Sequence, residues 1–492
     1  MQDLKVTGLQ ATSTGLPRRT RLGPDSLFWL ILVSVAFLAA ELTPALLRMP
    51  LGADEITYIA RTSAHASGVS LPPVHGQGAG LLAAPVTLLT DSLTAVRVWM
   101  SVLSAVGLFL SVLCWRGLRP MWVLALGELI FAGLAISQNS GVQVYPDWWG
   151  GLAVLALTGL FLHAVRGTMS NRVALPLIAL VSLVIVLMRP QNIVFLMGPA
   201  ILAALVVRRW RKLKVLIAMA VGIALGCLEW VAGAYIWYGG LSQRVQLAGQ
   251  EPPAFRLYFS VGTQVKVLNG PWYCIPPGCR GWAVPAESPW WAAFLGIAIL
   301  GFCIGWRRRS MRASTVLAGA TALWVFALYS FLVPFGAPRY IIPSLALLAI
   351  LAADGIAWAV TEGRWRKTAI AISCVFLASG LVTQRMILQH QVSLQRDTRN
   401  YYVQQADQLI KLGVRPPCAM LSPSIGYFVG CSAPWTGMSM PAYLARTPQG
   451  LKGWRLLQLP GLSMIVYVPA GSPLLKTQTT TVFRELLLPS SG

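Results

Sequence analysis

The sequence predicts an all-α polytopic membrane protein of about eleven transmembrane helices, with a small α/β C-terminal extracytoplasmic domain. Three observations predict it. The 492-residue chain is 56% hydrophobic and only 11% charged, with a mean hydropathy of +0.64, too little charge to cover a soluble fold of that length. Apolar runs of roughly 17–25 residues recur along it, the length that crosses about 30 Å of hydrocarbon. The basic residues behind a net charge of +23 fall mostly in short clusters between those runs, as the positive-inside bias requires.

Taken in order, residues 1–26 read as a cytoplasmic N-terminal segment, and the apolar run at 27–47 as an uncleaved first span. That run is long for a signal-peptide core and has no clean small-x-small exit. Further spans are expected near 93–114, 120–137, 148–165, 173–188, 191–207, 215–236, 289–306, 313–333, 339–360 and 368–385. This count puts every basic cluster on one side: Arg18-Arg19-Arg21, Arg116/Arg119, Arg166/Arg172, Arg208 to Lys214, Arg307 to Arg312 and Arg364 to Lys367. Fusing the two runs that meet at Arg189-Pro190 would flip the later topology and put those clusters outside. No patch interleaves aromatic and basic residues, so nucleic-acid binding is excluded.

The transmembrane module thus covers 27–385, with long outer loops at 48–92 and 237–290, and 386–492 forms the outer domain. Within the first loop, Gly80 to Leu89 is apolar but too short to span, which suits an interfacial or re-entrant segment. The tail alternates helical stretches (Tyr401 to Leu412 first) with strand-like runs at Ala419 to Ser422 and Ser463 to Val468. Cys114, Cys227, Cys303 and Cys374 lie in or at the ends of apolar runs and read as buried, inert thiols. Cys274/Cys279 and Cys418/Cys431 form two local pairs on the outer side, where disulfides persist. A zinc site from these four is the alternative, with no histidine near either pair.

Chemistry on the outer face rests on few acids: Asp54, Glu55, Asp91, Asp147, Glu251 and Glu287 before the tail. Asp54-Glu55 sits just past the first span, with Ile56, Ile59 and Ala60 spaced as one helical face behind it. Asp147 lies in YPDWW (Tyr145 to Trp149), whose tryptophans read as interface anchors. Glu41, Glu128 and Glu229 fall inside apolar runs, as buried or protonated acids or as a proton relay. Arg189 and Arg339 stand at the outer ends of spans, against the charge bias. Each could snorkel to lipid headgroups or grip a phosphate through paired hydrogen bonds.

Two stretches carry a resemblance. The acidic pair followed by PPVHGQGAGLLAAP (Pro72 to Pro85), and ALYSFLVPFGAPRYIIPSLALLA (Ala327 to Ala349) with Arg339, Tyr340 and Pro343, resemble the GT-C membrane glycosyltransferases. The protein O-mannosyltransferase and aminoarabinose transferase branch is the most similar. The resemblance implies that Asp54 is the catalytic base with Glu55 its catalytic neighbour, and that Arg339 and Tyr340 line a site for a lipid phosphate. Asp147 matches a family acid loosely, and His75 lies in the matched loop. With Arg189 these make the substrate-binding set. Some members hold a metal on a D-x-D pair; here the acids are adjacent, so no cofactor is fixed and a divalent metal stays open.

The expected function is transfer of a sugar from a polyprenyl-phosphate donor to an extracytoplasmic acceptor, a cell-envelope glycan, lipid or protein. Such transfer needs a base for the acceptor hydroxyl and cations for the departing phosphate. Inversion is expected, because no second carboxylate is placed as a nucleophile. The setting is a bacterial plasma membrane, with membrane lipid as the surrounding partner, the N-terminus cytoplasmic and the tail outside. The competing classes are a secondary transporter, for which no matched pair of broken helices is visible, and a non-catalytic assembly protein.

Overall fold

The computed structural model describes residues 26–63, 69–90, 92–250, 257–269, 274, 288–434, 440–445, 450–458, 465–475 and 484–486. Asp91, Glu251, Glu287 and Cys279, and with Cys279 the Cys274–Cys279 pairing, lie outside the described residues.

All eleven expected spans carry helix. The chain runs α1 (Phe28–Glu41), α2 (Pro44–Leu47), α3 (Ala53–Ile59), α4 (Gly78–Thr87), α5 (Leu93–Leu113), α6 (Met121–Ala132), α7 (Ala135–Gly141), α8 (Pro146–Arg166) and α9 (Asn171–Met188). A π-helical turn, Ile193–Met197, then leads into α10 (Gly198–Val206), followed by α11 (Leu213–Trp237), α12 (Leu241–Gln250), α13 (Val261–Lys266), α14 (Ser288–Arg307), α15 (Arg309–Leu332), α16 (Ile342–Thr361) and α17 (Arg366–Lys411). Eight helices among the described residues are long and apolar enough to cross a membrane, or nine if α6 and α7 count as one span bent by 79°. The chain is an integral membrane protein.

Helix α8 is the axis of the bundle, buried along almost its whole length. This corrects the reading of Trp148 and Trp149 as interface anchors: both are buried, and Trp148 stacks between Phe37 and Phe131 at 5.8 and 5.4 Å. A helix surrounded by other helices needs apolar side chains all round, which hides any single interface-facing stripe. Cys303 and Cys374 also depart from expectation, since both are exposed on the outside of α14 and α17. In a bilayer that surface meets lipid, so an apolar run does not by itself place a side chain in the protein core.

Two short helices, α3 and α4, fill the loop after the first span. Helix α4 is the apolar segment too short to span, and Pro85 sits inside it. It lies close to its neighbours because Gly78 and Gly80 lack a Cβ. One added at Gly78 would come 2.8 Å from the Leu187 carbonyl oxygen, and one at Gly80 would strike the Tyr58 carbonyl.

The tail is not a separate body starting at 386. Helix α17 runs unbroken through that point to Lys411, its 46 residues joining the helix bundle to the C-terminal domain. Its Gln384, Gln391 and Gln395 bond Ala135, Asn139 and Gln143 at 2.9, 2.9 and 3.1 Å, lacing it to α7 and the turn beyond. Beyond it, β1 (Ala419–Met420), α18 (Pro423–Val429), α19 (Met440–Leu444), β2 (Trp454–Gln458), β3 (Ile465–Pro469) and β4 (Arg484–Leu486) build a small domain. Its sheet is antiparallel throughout, in the order β1-β3-β2-β4. The expected strands are both there, although the first is only two residues long. Cys418 and Cys431 form the expected disulfide across a Cα–Cα distance of 4.7 Å. The domain rests on the first outer loop: Val69 bridges Ala433, and the Ser70 N–H donates to the Ala433 carbonyl at 3.0 Å.

Candidate active site

Four charged side chains from four different segments meet below that contact. Arg339 Nη2 donates to Asp54 Oδ2 at 2.6 Å, and Arg339 Nε lies 3.5 Å from Asp147 Oδ2. Arg189 grips the same Asp147 with both terminal nitrogens, at 3.0 and 3.2 Å. The result is a neutral ladder, Asp54–Arg339–Asp147–Arg189. Three of its members are buried; the Asp54 side chain is 36% exposed, the rung that faces solvent.

Proline sets three of the rungs. Pro146 opens α8 at its first position, where its missing N–H costs nothing, and puts Asp147 in the first turn beside the positive helix end. Pro190 disfavours helical geometry at the residue before it, so α9 stops and Arg189 is extended (φ −157°, ψ 124°). Pro338 opens the 3₁₀ turn Pro338–Ile341 that carries Arg339. That turn is braced from the second outer loop, where Cys274, which is disulfide-bonded, exchanges backbone hydrogen bonds with Gly336 at 2.9 and 3.0 Å. Gln264 adds a hydrogen bond to the Phe335 carbonyl at 3.0 Å.

Tyrosines wall the ladder. Tyr340 is buried and stacked on Tyr329 with centroids 4.8 Å apart, and its ring lies 5.8 and 5.6 Å from the guanidinium carbons of Arg189 and Arg339. Arg339 also sits 4.8 Å over the Tyr145 ring. Both arginines are thus held inside the protein. Tyr58, from α3, is fully enclosed beside Arg189, Asp147 and Asp54, and burial pushes its phenol well above the usual range. Its ring stacks on His75 at 5.3 Å. His75 is buried as well; burial first, and the nearby Arg189 charge second, drive its imidazole down to about 3. It is therefore neutral at ordinary pH.

Glu55 is one residue from Asp54 and lives in another world. Arg97 meets it with two parallel bonds, Nη1 to Oε1 at 2.5 Å and Nη2 to Oε2 at 2.9 Å. The Gly52 and Val144 N–H groups each donate to it at 2.8 Å. Arg97 spends its other three N–H groups on the carbonyls of Met49, Pro50 and Val142. All five guanidinium donors are used, and both residues are fully buried. The node ties the end of the first span, α3, α5 and the turn before α8 into one unit.

A metal shared by the outer acids would need open carboxylate oxygens. Glu55 is saturated, Asp54 and Asp147 face arginines, and among the described residues no three His, Cys, Asp or Glu side chains gather as a ligand set. The described acids do not fit a divalent cation.

The structure brings together Asp54, Asp147, Arg189, Arg339 and Tyr340, with His75 behind Tyr58, and sets Glu55 apart. Sequence reasoning missed Arg97, Tyr58 and Arg244. Arg244, on α12, is fully buried between the Trp230 and Tyr238 rings and donates to the Pro73, His75 and Trp230 carbonyls, clamping the loop that carries His75. Of these, Arg97 left a signal: a lone charge early in an apolar run.

The architecture, a bundle of membrane helices followed by a small C-terminal domain, is shared with solved membrane proteins. Among solved structures, ArnT from Cupriavidus metallidurans bound to undecaprenyl phosphate aligns over 82% of this chain and 85% of its own, with a TM-score of 0.57 and 14% identity. The apo form of the same protein aligns over 83% and 84%, with a TM-score of 0.54 and 14% identity. The oligosaccharyltransferase AglB from Archaeoglobus fulgidus, in complex with an inhibitory peptide and a dolichol-phosphate, covers 90% of this chain and 74% of its own at a TM-score of 0.45 and 9% identity. No family model and no curated protein sequence matches the chain.

Proposed function

We propose that the chain is a membrane glycosyltransferase that moves a sugar from a polyprenyl-phosphate donor to an acceptor on the outer side, with Asp54 as general base. The observation that carries this reading is the ladder itself, on a GT-C fold: one half-exposed carboxylate whose partner is an arginine. In the free protein Arg339 neutralises Asp54. A donor phosphate offers the guanidinium a planar, bidentate partner of its own, and Arg339 turning toward it releases the Asp54 carboxylate toward the acceptor. Asp147 keeps Arg189 and Arg339 side by side, so two cations meet the phosphate where its charge develops.

The acceptor oxygen then forms a bond to the anomeric carbon while the bond from that carbon to the phosphate oxygen breaks. The electron pair leaves with the polyprenyl phosphate, and the acceptor proton passes to Asp54. A single displacement inverts the anomeric centre. Glu55 takes no proton in this scheme; saturated by Arg97 and two amides, it positions α3 so that Asp54 points outward. The N-terminus lies in the cytoplasm and the tail domain outside, with the acceptor approaching under the domain.

The test is sugar transfer by purified protein in liposomes, from a panel of polyprenyl-phosphate sugars to membrane-extract acceptors, with the product's anomeric configuration read by NMR. An inverted product supports the reading. Retention, or no turnover of any lipid-linked donor that the protein binds, removes it.

A further inference from the structure

Four buried arginines are held to carboxylates, Arg97 to Glu55, Arg119 to Asp354, and Arg189 and Arg339 to the ladder, and the buried Arg244 is held to backbone carbonyls. Arg385 and Arg396, both exposed, are held to neither. Neither makes an ion pair or side-chain hydrogen bond among the described residues, yet both line one cavity of roughly 200 Å³ between α17 and α2. Its other walls are Gln389 and Ser393, polar, and Ala45, Leu46, Leu388 and Val392, apolar; among the described residues no acid lines it. The spacing of 385, 389, 392, 393 and 396 places these residues on one face of α17. It is a different face from Gln384, Gln391 and Gln395, which grip α7.

The level of this cavity is fixed by its surroundings. Leu381, Val382 and Met386 of α17 are exposed large hydrophobics, as suits lipid contact, whereas the exposed positions from Asp397 to Asn400 are all polar. Arg385 and Arg396 straddle that change, and the opposing wall is the short helix just past α1. The cavity thus lies where acyl chains give way to headgroups. Two unpaired guanidiniums there, an amide and a hydroxyl between them, and an apolar floor match a phosphodiester with its glycerol.

We propose that this cavity is a binding site for the headgroup of an anionic phospholipid, distinct from the ladder. The lipid bridges α2 and α17 from the side, and α17 in turn carries the glutamines that hold the turn leading to Asp147. Bound lipid therefore stiffens the frame around the site without touching it.

Native mass spectrometry on protein in nanodiscs of phosphatidylcholine doped with phosphatidylglycerol tests this without any transferase assay. Wild type is expected to retain one phosphatidylglycerol about tenfold or more over phosphatidylcholine, the preference expected of charge-assisted hydrogen bonds. Arg385→Gln/Arg396→Gln should lose the preference, Arg385→Lys/Arg396→Lys should keep part of it, and Ser393→Glu, which adds an acid to an exposed position, should abolish it in a protein with intact arginines. Equal retention by wild type and the Gln pair would overturn the site. So would displacement of the bound phosphatidylglycerol by undecaprenyl phosphate, which assigns the cavity to the donor lipid, or by millimolar inorganic phosphate, which makes it a free-anion site.

Discussion

Asp54 and Glu55 differ by one methylene and one position, and their surroundings differ in every other way. A helix turns about 100° per residue, with 3.6 residues per turn, so neighbours on α3 face apart. Glu55 points inward and closes a node in which both oxygens and all five donors of Arg97 are used. Asp54 points to the ladder and keeps part of its surface in solvent. The closed pair has no lone pair left to offer a substrate, and its loss strands a buried charge. The open one has an arginine to release. A carboxylate's chemistry here is decided by how many of its hydrogen-bonding positions the fold has already filled.

The largest expected effect breaks that comparison on its open side. Asp54→Asn should lower transfer by about 10²–10⁴-fold, the range of a lost general base, while the melting temperature and donor binding stay near wild type. Asp54→Glu should be impaired by about 10²-fold, because misplacing the carboxylate by an ångström is enough. Near wild-type transfer by Asp54→Asn removes the base assignment.

On the closed side the damage should fall on the fold. Glu55→Gln leaves Arg97 buried without its counter-charge, a loss of about 3–5 kcal/mol for a broken buried pair. The expected readout is a lower yield of folded protein and a lower melting temperature in detergent, with turnover per folded molecule less affected than in Asp54→Asn. If Glu55→Gln melts like wild type but fails to transfer, the two acids have the roles reversed.

Arg339 joins the two behaviours, as it is both Asp54's partner and the proposed phosphate ligand. Arg339→Ala should weaken donor binding by about 1.5–3 kcal/mol, the usual worth of a charge-assisted hydrogen bond. Arg339→Lys should recover only part, since lysine lacks the planar fork. Unchanged donor affinity in Arg339→Ala, measured by calorimetry or fluorescence, would leave the residue as Asp54's counter-ion alone.

How much of this was legible beforehand follows from distance along the chain. The spans, the short apolar α4 and the tail strands are local patterns, and they were readable. Asp54 and Arg339 each lie inside a recognisable short stretch, and the prolines beside Asp147, Arg189 and Arg339 marked where helices start and stop. The split between Asp54 and Glu55 was not readable, because the partner that decides it, Arg97, lies 42 residues away. Arg244 clamps carbonyls some 170 residues upstream, and backbone carbonyls leave no sequence signature. Trp148 and Trp149 misled because an outer-end aromatic pair looks the same whether it meets headgroups or the stacked rings of Phe37 and Phe131.

The smallest effect separates burial from charge at His75. Its imidazole, stacked on Tyr58 and enclosed, is driven down to about 3, whereas the unfolded chain binds that proton near 6.5. Between those values the unfolded state holds the extra proton, so folding stability rises with pH, and falls as the solution is acidified through 6.5. The slope from this one group is at most about 1.4 kcal/mol per pH unit. Only the upper part of the window, roughly pH 5 to 7, is accessible before carboxylates elsewhere titrate. His75→Phe keeps a ring for Tyr58 to stack on and removes the titration. Apparent melting temperatures at pH 5 and pH 7 should therefore converge in His75→Phe relative to wild type, with little change at pH 7 itself. The same gap in both proteins would mean that His75 takes up a proton in the folded state, and that the space behind Tyr58 admits water or an anion to hold the charge.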